Sequence, residues 1–254
     1  MELWSKAHIR TLLPALLVMV VLSAVFRLIL GKKSLTIRMI PIQIIAVLLV
    51  LLEIGKQFFS FQGGYDLYHI PLHYCSLFLF TLPVMAFYKG KHQQTVYGVT
   101  AGVCGALFLL MLIYPALIYS SWDIENYFQN YFAMHTVTFH NLVMFAFLLI
   151  IALGVHKPQR KGEIKAVIVF TLSFCFVSAT MAQILKTNFA NYYQCNIAPL
   201  EAIRVSLQGV LGYGLTQFIY VVIVSVLTLA FVLMCAGLYK LLRKLLPSKQ
   251  PATV

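Results

Sequence analysis

Two short clusters hold the side chains able to do chemistry. Pro71-Leu72-His73-Tyr74-Cys75-Ser76 sets an imidazole, a thiol and a hydroxyl at the start of an apolar stretch, and His135-Thr136-Val137-Thr138-Phe139-His140 sits at the start of another. A cysteine attacks as its thiolate, so it needs a base to take the proton, and imidazole titrates in the right range to do so. Cys75 with His135, His140 or His73 is therefore a candidate for nucleophilic catalysis. Reactive and ionisable groups are costly in hydrocarbon, and their presence inside apolar stretches points to function.

Composition states what must position them. Hydrophobic residues make up 61% of the 254 residues and charged residues 10%, against roughly half and a quarter in soluble domains. The chain is an integral, multi-pass protein of the cell membrane, all-α, expected as one transmembrane domain over residues 1–254. A helix needs about 20 apolar residues to cross a bilayer, and such runs fall at 12–30, 39–59, 72–88, 95–118, 131–154, 166–186 and 215–239. The expectation is a bundle of seven transmembrane helices. The first run is too long for a signal peptide, is interrupted by Arg27 and is followed by no small-x-small cleavage site.

Charge sets the expected orientation. Alternate connections carry Lys32, Lys33 and Arg38; Lys89 and Lys91; Lys157, Arg160, Lys161 and Lys165; and Lys240, Arg243, Lys244 and Lys249. The remaining segments carry only Lys6, Arg10, Lys186 and Arg204. Basic loops stay in the cytoplasm, which places the N-terminus outside and the C-terminus in the cytoplasm. The net charge of +12 is that of basic loops beside anionic headgroups and calls for no nucleic acid.

In that arrangement the polar residues gather at the outer face. Glu53 and Lys56 lie in the outer half of the second span, Thr138 with the histidines in the fifth, Asn188, Asn191 and Tyr192 after the sixth, and Gln217 at the start of the last. A cavity open to the outer leaflet accounts for this one-sided set. Successive residues of an α-helix differ by about 100°, so His73 and Cys75 are expected roughly 200° apart, with Pro71 opening the helix. By the same rule His135 shares a stripe with Thr138, and His140 with Thr136, so one of the two histidines faces inward.

Blander readings accompany the sharper ones. Glu53 and Lys56, three apart, read first as an intramembrane ion pair and second as a headgroup or proton site. His69 and His73 have metal-ligand spacing, but Pro71 between them breaks a shared helical face, and a zinc site needs about four ligands. No metal or cofactor is expected. Cys104, Cys175 and Cys235 read as packing; Cys195 is either free or disulfide-bonded. The ladder Gly98, Gly102, Gly105 reads as a helix-packing surface, and Gly209, Gly212 and Gly214 mark a break before the last span.

The residues Pro71-Leu72-His73-Tyr74-Cys75-Ser76, Tyr131-Phe132-x-x-His135 and Asn188-x-x-Asn191-Tyr192, with Pro199 and Gly212 ahead of the last span, resemble the YwaF-type integral membrane proteins of bacteria. The family's eukaryotic relatives are transmembrane acyltransferases that move fatty acyl chains onto lyso-ether phospholipids. The resemblance implies Cys75 as acyl acceptor, a histidine of the fifth span as its base, and a membrane phospholipid of the outer leaflet as substrate. His73, Ser76, Asn188 and Asn191 are candidate donors to the oxyanion. The alternative is a transporter or receptor that uses the same polar cavity, and transport would require a polar path to the opposite face. The oligomeric state is not specified by the sequence.

Overall fold

The computed structural model describes residues 4–158 and 162–245. Its helices are α1 (Lys6–Leu30), α2 (Leu35–Gln62), α3 (Phe78–Phe87), α4 (Gln93–Ile113), α5 (Ser121–Glu125), α6 (Tyr131–Ala152), α7 (Glu163–Leu185), α8 (Ala198–Leu211) and α9 (Tyr213–Leu245). Among the described residues, 6 of these are long and apolar enough to cross a membrane: α1, α2, α4, α6, α7 and α9. The protein is a multi-pass, all-helical membrane bundle.

The expected seventh span does not form as one helix. Residues 70–73 are bent and non-helical, with the Leu72 amide donating to the Ile70 carbonyl at 2.7 Å, Tyr74–Leu77 is a 3-10 turn, and α3 has 10 residues, about 15 Å at 1.5 Å per residue, half the hydrocarbon thickness. The cause is local. Proline disfavours the helical region for the residue before it, and Ile70 is extended at φ −58°, ψ 132°. Beyond it the Leu72 carbonyl accepts from the Ser178 hydroxyl of α7 at 2.9 Å, a bond from outside the helix. The alternation that put the N-terminus outside and the C-terminus in the cytoplasm rests on seven unbroken spans and falls with the seventh.

α4 is the central helix. Its face bearing Gly98, Gly102 and Gly105 is buried, and each glycine admits a different neighbour. A Cβ at Gly98 would strike the Glu163 carboxyl of α7, one at Gly102 would lie 3.3 Å from the Ala236 methyl of α9, and one at Gly105 would lie 3.1 Å from the Phe147 ring of α6. The small-residue ladder thus lets three helices approach one backbone.

One end of the bundle is closed by a network absent from the sequence-based expectations. His156, fully buried, stacks on Tyr239 and sits 3.0 Å from its hydroxyl, while Glu163 lies 3.4 Å from His156 and 3.3 Å from Lys240. Arg38 donates to the carbonyls of Leu153 and Gly154, and Arg243 to that of Ile151, placing cations where the C-terminus of α6 leaves its carbonyls unpaired. Arg160, Lys161 and Lys249, counted among the basic loop residues in the sequence, lie outside the described residues.

Candidate functional site

At the opposite end the helices separate around a cavity of about 520 Å³. Its lining is mixed, with Glu53, Lys56, His69, His73, Cys75 and Ser76 among the polar residues and Leu107, Leu110, Phe174, Phe231 and Val232 among the apolar ones. His135 and His140 of α6 both line it, as do Asn188, Asn191 and Tyr192. The broken third segment makes this possible. Because His73 is in extended backbone at φ −79°, ψ 157°, it is not on a helix with Cys75, and the expected divergence of about 200° disappears. Both histidines of α6 reach the cavity as well, where helical spacing admitted one.

Each imidazole has its own partner. His140 Nδ1 donates to the Thr136 carbonyl at 2.6 Å and His73 Nε2 to the Tyr68 carbonyl at 3.0 Å; a carbonyl only accepts, so the other nitrogen of each neutral ring carries the lone pair. His69 shares a 2.7 Å hydrogen bond with the Ser60 hydroxyl and stacks on Phe132. Burial lowers the pKa of both His69 and His73 below 6.5. His135 stacks on Phe139, and its Nε2 lies 3.3 Å from Glu53 Oε2. Among the described residues no three His, Cys, Asp or Glu side chains converge as a metal site.

Glu53 and Lys56 do form an ion pair, at 2.7 Å, but the carboxylate extends further, to Gln57 and His135. Gly55 explains how α6 comes close enough. A Cβ at Gly55 would collide with the Tyr131 hydroxyl, which donates to the Leu52 carbonyl at 2.9 Å. This glycine stands between the two charged residues in the sequence, and only the packed helices reveal its task.

The 188–196 segment roofs the cavity. Ala190 and Asn191 are both left-handed, at φ 48° and 65°, a conformation asparagine adopts readily but alanine holds only where its surroundings enforce it. Gln183 and Gln217 donate to the Tyr192 carbonyl, both at 2.9 Å, and the Asn188 carboxamide organises the backbone of Tyr193 and Gln194. Gln217 therefore positions this segment and is not among the residues lining the cavity. Asn191 Oδ1 is buried without a partner. Thr138 lies on the other side of α6, bonded to the Tyr127 hydroxyl at 2.8 Å in a separate groove against α1 and α5. Cys195 is a free thiol, as are Cys75, Cys104, Cys175 and Cys235.

Among the described residues, six long apolar helices and a cavity lined by a half-buried thiol and four imidazoles define a polytopic membrane protein. The chain belongs to the TMEM164 family, whose match covers residues 3–239. No curated protein and no solved structure matches it.

Proposed function

We propose that this chain is a membrane acyltransferase or transacylase that moves phospholipid acyl chains through a thioester on Cys75. The observation that carries the reading is that Cys75, His135 and His140 line one cavity together with both polar and apolar side chains. A phospholipid ester is likewise mixed, a polar glycerophosphate beside an aliphatic chain. The likeness of the cysteine motif to YwaF-type proteins and their acyltransferase relatives supports the same conclusion.

In the first half-reaction an α6 histidine takes the proton of the Cys75 thiol, and the sulfur electron pair bonds to the ester carbonyl carbon. The carbonyl electrons move onto oxygen and return as the bond to the glycerol oxygen breaks. That oxygen leaves with the proton from the imidazolium, giving a lyso-lipid and S-acylated Cys75. An acceptor hydroxyl then reverses the steps and carries the acyl group away. Of the expected oxyanion donors, His73 Nε2 and the Asn188 amide are already engaged by the Tyr68 carbonyl and Asn196. Ser76 and Asn191 are left to serve the oxyanion.

Farther from the mouth along the same helices, Val103, Val143 and Phe147 are buried in the core and Gly102 packs on Ala236. Such packing supports a pocket closed at its inner end, and so an enzyme over a transporter. The test is Cys75→Ala in the purified protein in lipid nanodiscs supplied with phospholipid and lyso-phospholipid. Acyl exchange is expected to vanish, and mass spectrometry of the wild type to find an acyl group on Cys75; undiminished exchange by the variant refutes the reading.

A further inference from the structure

Glu53 is divided between two tasks. Its Oε1 takes both Lys56 Nζ at 2.7 Å and Gln57 Nε2 at 2.6 Å, while Oε2 faces His135 Nε2 at 3.3 Å. Gln57 is itself anchored, donating to the His69 carbonyl at 2.8 Å and accepting from the Tyr65 hydroxyl at the same distance. The carboxylate is thus held from one side with its second oxygen presented to the imidazole. A self-neutralising ion pair would need Lys56 alone.

We infer that Glu53 is the positioning residue of a Cys75–His135–Glu53 relay, orienting the imidazole and stabilising its protonated form. The inference rests on the acyl-transfer reading for the reaction it serves, but the relay itself is a property of the thiol. His135 Nε2 is buried with no hydrogen bond, and Glu53 Oε2 stands 3.3 Å from it; in the tautomer that serves this pair the proton is on Nε2 and the lone pair on Nδ1, the nitrogen that receives the thiol proton. Once it does, the imidazolium stands against a carboxylate in a water-poor site, where such an interaction is strong. His140 lacks this support, since its Nδ1 is spent on a backbone carbonyl and its ring neighbours are Tyr119 and Phe139. The geometry therefore selects His135 as the base.

The titratable groups that line the cavity with His135 are Glu53 and Lys56 from α2, Tyr68, His69 and His73 from the connection after it, Tyr74 and Cys75 from the broken segment, His140 from α6 and Tyr192 from the roof. Any of the histidines could imprint on a pH profile, so the test compares variants. The rate of Cys75 alkylation by N-ethylmaleimide is followed on its peptide by mass spectrometry from pH 5 to 10, in wild type, Glu53→Gln, His135→Ala, the double variant and His140→Ala. Glu53→Gln is expected to lower the rate at pH 7 about tenfold, equivalent to a one-unit rise in the thiol midpoint. His135→Ala should do the same, the double variant no more than either, and His140→Ala should leave the profile in place. Glu53→Asp should restore part of the rate, whereas loss of folding alone would expose the thiol and raise it in every variant. A Glu53→Gln profile that overlays wild type while His135→Ala shifts it overturns the inference even if Cys75 is acylated. A Glu53-dependent profile in a protein that never forms an acyl-enzyme upholds the relay and removes the acyl-transfer reading alone.

Discussion

Gly55→Ala is a small change at the joint between the two helices that carry the relay, and its outcome can be worked from opposing effects. Alanine in place of a mid-helix glycine favours the helix by about 1 kcal/mol. Against this, the new methyl collides with the Tyr131 hydroxyl and ring, and overpacking of this kind costs roughly 1–3 kcal/mol. Moving the ring also breaks its hydrogen bond to the Leu52 carbonyl, worth about 1 kcal/mol. The balance is a loss of about 1–3 kcal/mol. Function should suffer more than stability, because His135 lies one turn beyond Tyr131 on α6. A shift of about 1 Å would take His135 out of reach of Glu53, and misplacement on that scale costs about a hundredfold in rate. Tyr131→Phe removes the atom met first but leaves the ring carbon at 2.7 Å and forgoes the bond to Leu52, so Gly55→Ala/Tyr131→Phe should recover part of both losses, a non-additivity expected of residues in contact. Reversible unfolding by SDS titration gives the stabilities, and the rate of Cys75 acylation gives the function. A Gly55→Ala protein as stable and as fast as wild type would refute the close-approach argument, and a double variant worse than both singles would refute the identity of the obstacle.

Further expectations concern the cavity's surroundings. Since burial holds the folded-state pKa of His69 and His73 below 6.5, the unfolded chain binds more protons between those values and 6.5. Their contribution to stability is present above about pH 6.5 and lost as pH falls toward the depressed values; unfolding titrations at pH 7.5 and 5 should show this, and His73→Gln should reduce the difference. Glu201 holds the Cys195 amide at 2.8 Å and pairs with Arg204, which also donates to Gln217, and the guanidinium keeps its carboxyl below the ordinary range. Glu201→Gln should loosen the 188–196 roof and raise maleimide labelling of Cys195 severalfold; unchanged labelling would detach this pair from the roof. Gly102→Leu would force α9 away from α4 at Ala236 and should destabilise by about 3 kcal/mol, with little folded protein recovered from membranes.

Hydropathy determined that this is a polytopic helical membrane protein, because a long apolar run has few fates other than burial in lipid. The glycine ladder on α4 was equally legible, since small residues at helical spacing have one common use in such bundles. Counting spans failed at residues 72–88, where hydropathy measures apolar content but not continuity. The backbone there is bent and non-helical at 70–73 and tightens into a 3-10 turn before α3, which invalidated the helical wheel and brought His73 and Cys75 to one cavity. Thr138 faced away for a related reason: a wheel gives the angle between two residues of one helix but not which neighbour stands at each angle. The contact of Glu53 with His135, the approach permitted by Gly55 and the packing of His156 among Glu163 and Tyr239 all join residues from different helices. No periodicity within a segment encodes such distances; they follow from how the helices pack, and the tertiary structure alone decided them.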